Sequence, residues 1–282
     1  MIAVVDYQKG NLKSVERGLI AAGGEALITA DASEIAKADA IVLPGVGAFA
    51  DAAATMCELG QMEVIRERVR AGVPFLGICL GEHLMFEHGV EGAPEGNPAC
   101  GLGLLPGTVV TMPRYDAQGK AFKVPHVGWN TIEMPACNGG AAVPPCGEGG
   151  GNAVLSSGGA GGGAARSSAA KRGLFEHGAF PGSAPQAGSE LAFPDSTPQP
   201  GSDLAFACPL FDGIAPGEYF YFTHSFIAPT GSHTIAETTH SVRFASAVQF
   251  GECAFGVQFH PEKSSDAGAR VLANFVAIAA RG

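Results

Sequence analysis

A cysteine held between two glycines, at the end of a short apolar run, concentrates the chemistry of this chain. Phe75-Leu76-Gly77-Ile78-Cys79-Leu80-Gly81-Glu82 reads as a strand, a sharp turn and the start of a helix. That is the layout of a nucleophile elbow, with sulfur in place of a serine hydroxyl. Small neighbours suit a nucleophile held in strained backbone with its side chain aimed outward from the strand end. A helix behind it would turn its positive end toward the sulfur and favour the thiolate. Such a nucleophile needs a base, and the base needs an acceptor that fixes its tautomer. The segment Gly256-Val257-Gln258-Phe259-His260-Pro261-Glu262-Lys263-Ser264 supplies both. Strand-like alternation delivers His260 to its end, and Glu262 follows. A lone buried cysteine is more often inert packing. The elbow glycines together with the His-Pro-Glu element weigh against that for Cys79.

Parallel βα units are what would position these groups. Up to about residue 110, short apolar runs alternate with helical stretches, the pattern of a parallel sheet. Strands are expected at residues 2–5, 26–29, 40–43 and 74–78, apolar throughout because both faces are covered. Helices are expected at 11–22 and 61–70. From about residue 102 the chain turns strand-rich, with expected strands at 109–112, 131–134, 219–222, 234–238, 244–250 and 253–258. A helix over 266–279, with Ser265 as its N-cap, closes the chain. A single domain would thus span 1–282, interrupted at residues 135–207 by a segment of Gly, Ala, Ser and Pro. Such composition buries too little apolar surface to offset the entropy of ordering it, so a disordered or loosely packed insertion is expected there. Its glycine runs lack the Lys-Ser/Thr and the strand–helix frame of a phosphate cradle.

Composition narrows the function classes. The 282 residues carry 46% hydrophobic and 16% charged side chains, with a net charge of −10. An acidic surface argues against nucleic acid and anionic membranes. No apolar run has membrane-spanning length, and Met1-Ile2-Ala3-Val4-Val5-Asp6 reads as a strand, not a signal peptide. Seven cysteines without a Cys-x-x-Cys pair fit reduced thiols in a cytoplasmic protein. Cys79 and His83, four apart, lack further ligands for a metal, and no cofactor is expected.

On Gly77-Ile78-Cys79-Leu80-Gly81 and Gln258-Phe259-His260-Pro261-Glu262, the chain resembles the class I, or triad, glutamine amidotransferases. Within that family it is most similar to the glutaminase subunits of imidazole glycerol phosphate synthases. Asp6-Tyr7-Gln8-Lys9-Gly10-Asn11-Leu12-Lys13-Ser14-Val15, Leu43-Pro44-Gly45-Val46-Gly47-Ala48-Phe49, Pro125-His126-Val127-Gly128-Trp129-Asn130 and Tyr221-Phe222-Thr223-His224-Ser225-Phe226 carry that likeness. It covers the whole chain except the insertion, a connection that is short in the family.

The resemblance implies a flavodoxin-like α/β fold, with a mostly parallel central sheet flanked by helices and added antiparallel strands in the second half. It implies hydrolysis of L-glutamine to glutamate and ammonia, with ammonia passed to a (β/α)₈-barrel cyclase partner in histidine biosynthesis. The oxyanion donors would be the amides of Leu80 and of the Gly45–Val46 loop. His224, Ser225 and Phe226 would hold the glutamine carboxylate, and Glu91 its ammonium group. Asn11, Lys13, Trp129 and Lys263 would face the partner, although a core position for Trp129 is an equal alternative. Two departures stand out: Gln8 where the family commonly has Gly, and Glu82-His83 where it has Met-Gln or His-Gln. His83 would then replace the glutamine that touches substrate. The competing readings are a subunit serving anthranilate or aminodeoxychorismate synthase, and a non-catalytic regulatory module.

Overall fold

The computed structural model describes residues 1–135 and 208–281. The expected insertion at 135–207 lies outside the described residues but for its first position. The described chain runs β1 (Ile2–Val5), α1 (Leu12–Ala21), β2 (Ala26–Thr29), α2 (Ala32–Ile35), β3 (Ala40–Gly45), α3 (Phe49–Glu58), α4 (Gln61–Arg70), β4 (Phe75–Cys79) and α5 (Leu80–His83). It continues as β5 (Phe86–Gly89), β6 (Ala99–Cys100), β7 (Leu105–Thr111) and β8 (His126–Thr131). The remainder is β9 (Tyr219–His224), β10 (Phe226–Ile227), β11 (Thr234–Thr239), β12 (Arg243–Phe250), β13 (Ala254–Val257) and α6 (Ser265–Ala279).

Seven strands form the central sheet in the order β11-β12-β13-β4-β3-β1-β2. The five strands from β13 to β2 are parallel, and β12 and β11 add an antiparallel edge. This is the expected mostly parallel α/β sheet with antiparallel additions. Alternate residues feed two cores. Ile2, Val4, Leu76 and Ile78 pack with Val15, Leu19 and Phe275 on one face. Ala3, Val5, Ile41 and Phe75 pack with Phe49, Met56 and Ile65 on the other. With both faces covered, β1 and β4 are buried at every position, and each large side chain so buried contributes about 2 kcal/mol. A second sheet, β10-β7-β5-β6, and the antiparallel pair β8-β9 make up the rest.

Four local expectations are corrected. The helix behind the elbow is a single turn, α5, because the carbonyls of Leu84 and Met85 are taken by the Leu102, Leu104 and Leu105 amides of a neighbouring segment. The strand expected at 131–134 lies earlier, as β8, where six residues pair in register with β9. Of the expected positions, Glu133 makes only an isolated bridge to Glu237. Ser265 is not an N-cap. It is the first helical residue, with φ 48°, and Ser264 before it spends its hydroxyl on the His260 carbonyl at 2.6 Å. Finally, α3 forms where no helix was expected: it is alanine-rich and buries only Phe49, Ala52, Ala53 and Met56.

Candidate active site

The carboxyl ends of β3, β4 and β13 meet at one edge of the sheet, and Cys79 closes β4 there. Its backbone is strained, at φ 54° and ψ −106°, in a region that side-chain-bearing residues rarely adopt. The flanking glycines are required by contact. A Cβ on Gly77 would lie 2.5 Å from the Gly81 carbonyl oxygen, and one on Gly81 would lie 1.8 Å from that of Leu43. The sulfur is buried, 4.0 Å from the Thr223 carbonyl oxygen and 3.7 Å from the Gln258 amide nitrogen, which donates to it. Burial pushes the Cys79 thiol up to about 12, with Glu82 the second cause; the Leu80 N–H works against them, and Glu262 and Glu91 add to the rise. The sequence suggested a thiolate favoured by a helix end. One turn of helix does not outweigh desolvation here.

Strand β13 is the parallel neighbour of β4, with Val257 opposite Ile78, and His260 follows just beyond its end. Its Nδ1 lies 3.0 Å from Glu262 Oε1, and both side chains are buried. A carboxylate only accepts, so Nδ1 carries the proton and Nε2 keeps a lone pair. That Nε2 has no hydrogen-bond partner among the described residues. The backbone is pinned as well: the His260 N–H donates to the Tyr221 carbonyl at 2.9 Å.

Gly45 ends β3 opposite Cys79 in the ladder, and Val46 beyond it is exposed. The fully buried Tyr7 hydroxyl lies directly beneath, since a Cβ on Gly45 would come within 2.1 Å of it. Burial raises the Tyr7 pKa above the usual phenol range, Cys79 raises it further, and the Val46 backbone N–H opposes both. Among the described residues, no partner meets the Tyr7 hydroxyl at hydrogen-bond geometry. Gly10 packs on the same loop, near the Pro44 carbonyl and Gly45. Asn11 follows Gly10 directly and precedes α1. Lys13 is exposed and pairs with Glu16 at 3.0 Å.

The expected substrate groups divide. Glu91 is half-buried, its carboxyl raised by burial against the Phe49 backbone N–H, with Asp51 adding to the rise. His83 is buried and its Nε2 meets Gln258 Oε1 at 2.7 Å; burial pulls its pKa down to about 4, against that hydrogen bond. His224 uses both ring nitrogens within the protein. Nδ1 donates to the Phe226 carbonyl at 2.8 Å, so Nε2 accepts from His126 Nδ1 at 3.0 Å. His126 Nε2 in turn accepts from Asn130 at 3.3 Å. Burial lowers the His224 pKa well below the usual imidazole range. Ser225 turns its carbonyl to the Met112 N–H. On the surface, Trp129 is 51% exposed, which removes the core alternative. It meets Tyr221 edge-on at 6.1 Å, and Lys263 Nζ lies 5.8 Å from the same ring.

Three site-lining residues carried no individual role in the sequence. Tyr7 and Gln258 stood inside quoted motifs without one, and Glu82 was noted only as a departure. Glu82 is fully buried, neither carboxyl oxygen has a hydrogen-bond partner among the described residues, and burial holds it toward its neutral form. For Gln258 a signal existed: a polar side chain at the end of an otherwise apolar strand.

This fold and this edge of the sheet define a glutamine amidotransferase of class I, and the family model described as "Glutamine amidotransferase class-I" matches residues 3–135. Curated relatives extend over nearly the whole chain. The Imidazole glycerol phosphate synthase subunit HisH of Moorella thermoacetica is 35% identical, covering 97% of this chain and 93% of its own. The HisH subunits of Rhodopirellula baltica and Aromatoleum aromaticum are each 32% identical over at least 98% of this chain and 96% of theirs. A solved glutamine amidotransferase aligns at a TM-score of 0.55 with 16% identity, over 99% of this chain and 98% of that one. PurLQS from Thermotoga maritima gives 0.54 and 14%, over 98% and 97%; these likenesses speak for the fold alone. The chain belongs to the class I glutamine amidotransferases, in the branch of the HisH subunits of imidazole glycerol phosphate synthase.

Proposed function

We propose that the protein hydrolyses L-glutamine at Cys79 and delivers the ammonia to a cyclase partner of imidazole glycerol phosphate synthase. One observation carries the reading: a cysteine in positive-φ backbone at the end of β4 and, just past the adjacent parallel strand β13, a buried His260 whose Nδ1 is fixed by Glu262 and whose Nε2 has no partner among the described residues. His260 Nε2 takes the thiol proton as the sulfur attacks the carboxamide carbon, so no free thiolate need accumulate in a buried site. The tetrahedral oxyanion is met by the backbone N–H groups of Leu80 and Val46. His260 returns the proton to the departing ammonia, then activates the water that cleaves the thioester. Glu91 takes the substrate ammonium, and the His224-Ser225-Phe226 segment its carboxylate.

The partner surface is read from Trp129, Tyr221 and Lys263 together with Asn11 and Lys13. An exposed aromatic beside a cation is a common anchor at interfaces. Free ammonia would become ammonium in bulk water, so docking that seals the site preserves the nucleophile. The Val46 N–H lies near the Tyr7 hydroxyl, which supports an oxyanion loop that realigns when the liganded partner binds. The test compares glutamate release, and glutamine-dependent against ammonia-dependent cyclisation, with and without the cyclase. Wild type should need the partner for fast glutamate release. Cys79→Ala should abolish glutamine-dependent cyclisation and keep the ammonia-dependent reaction. Undiminished glutamate release in Cys79→Ala would refute this function.

A further inference from the structure

We propose that Gln258 is a catalytic residue that donates a side-chain N–H to the nucleophilic sulfur, and that His83 is a positioning residue that orients the Gln258 amide for it. This rests on the reading of Cys79 as the nucleophile. Gln258 follows β13 directly and is fully buried. Its backbone N–H is tied to the Ser246 carbonyl at 3.0 Å, so its side chain has little freedom to reorient. Its Oε1 receives the His83 Nε2 hydrogen at 2.7 Å, and its Nε2 points at the Cys79 sulfur at 3.7 Å.

The direction of this chain follows from the donor inventory. An amide oxygen only accepts, so the His83 nitrogen facing it carries the proton. The amide is then oriented with its N–H₂ toward sulfur, and the bond to His83 polarises it into a better donor. A thiolate accepts that N–H far more strongly than a thiol does, so the contact stabilises the attacking form. The charged and titratable groups that act on the sulfur are Glu82 on α5, Glu262 past β13, Glu91 past β5 and Tyr7 past β1, with His260 bonded to Glu262. Where ionised, the three carboxyl groups oppose the thiolate, which gives a fixed N–H donor its value. His83 thus acts through Gln258, where the sequence suggested direct contact with substrate.

The experiment measures the rate at which iodoacetamide alkylates Cys79, resolved by mass spectrometry from the exposed Cys57 and Cys100, between pH 6 and 10. Neither glutamine nor partner is present, and glutamine-dependent kcat and KM with the cyclase are measured alongside. Gln258→Leu should slow Cys79 alkylation at pH 8 by about three- to tenfold, the result of raising the thiol pKa by up to about one unit. Gln258→Glu, nearly isosteric, should slow it at least as much, and serves if the leucine variant fails to fold. His83→Phe should give a smaller slowing with kcat reduced and KM little changed. His83→Gln, whose amide N–H can replace that of the imidazole, should recover most of that loss. Wild-type alkylation profiles in the Gln258 variants would overturn the proposal. So would a His83→Phe variant that raises glutamine KM while alkylating normally, since that is the signature of substrate contact. These outcomes are independent of Cys79→Ala turnover, which tests the function itself.

Discussion

Two buried histidines near Cys79 differ in one respect that separates chemistry from architecture. His260, past the end of β13, has Nδ1 anchored to Glu262 and, among the described residues, Nε2 without a partner. His224, at the end of β9, spends one nitrogen on the Phe226 carbonyl and the other on His126. A ring with both nitrogens engaged cannot accept a proton without breaking a bond. A ring with one fixed and one unengaged nitrogen is prepared to do so. Burial and residue type are the same; the bonding differs.

The comparison breaks first at its catalytic side. His260→Ala should reduce glutamine-dependent turnover by about 10⁴-fold or more, and Glu262→Gln by about 10²-fold or more, with ammonia-dependent cyclisation retained in both. Steady-state assays with the cyclase check this, and a Glu262→Gln variant at wild-type rate would remove the orienting role. On the structural side, His224→Phe leaves the His126 Nδ1–H unpaired and should cost about 1–3 kcal/mol of stability, measured by urea denaturation. A kcat loss as deep as that of His260→Ala would erase the distinction between the two rings.

Acid sharpens the comparison further. His83 is held neutral to about pH 4 by burial, whereas in the unfolded chain it titrates near 6.5. The unfolded state therefore binds the extra proton first, and stability is lost as pH falls below about 6.5 toward 4. His83 alone should remove about 2 kcal/mol by pH 5, visible as a falling urea midpoint. The smallest effect has the opposite sign. Burial raises the Glu82 pKa, so it destabilises the fold increasingly as pH rises above the ordinary carboxylate range. Glu82→Met should gain about 1–2 kcal/mol at pH 8 and less at pH 4.5. Equal midpoints for the two proteins at both values would show that the carboxyl has found partners.

Much of the fold was legible because its signals are local. Apolar runs bounded by turn residues located β1, β2 and β4, and the amphipathic period placed α4 at its observed ends. The elbow and the His-Pro-Glu element were legible because each compresses a strand end and its reactive side chain into a few residues. What escaped depends on distant partners. α3 has a face of small alanines that periodicity registers weakly. β8 was misplaced because its ladder with β9 pairs residues across the insertion. α5 stops after one turn because amides some twenty positions later capture its next carbonyls. Gln258 acquires significance only when His83 and Cys79 arrive on either side of its amide.

The missing side chain at Gly45 also makes the molecule its own reporter. Of four tyrosines in the chain, Tyr7 alone is buried; Tyr115 and Tyr219 are exposed and Tyr221 is partly so. Its ring tip rests against the backbone of the loop whose realignment is proposed above. A fluorine label on that one phenol would register the loop's rearrangement as a resonance shift, distinguishable from three solvent-facing signals, and would time subunit docking against bond breaking.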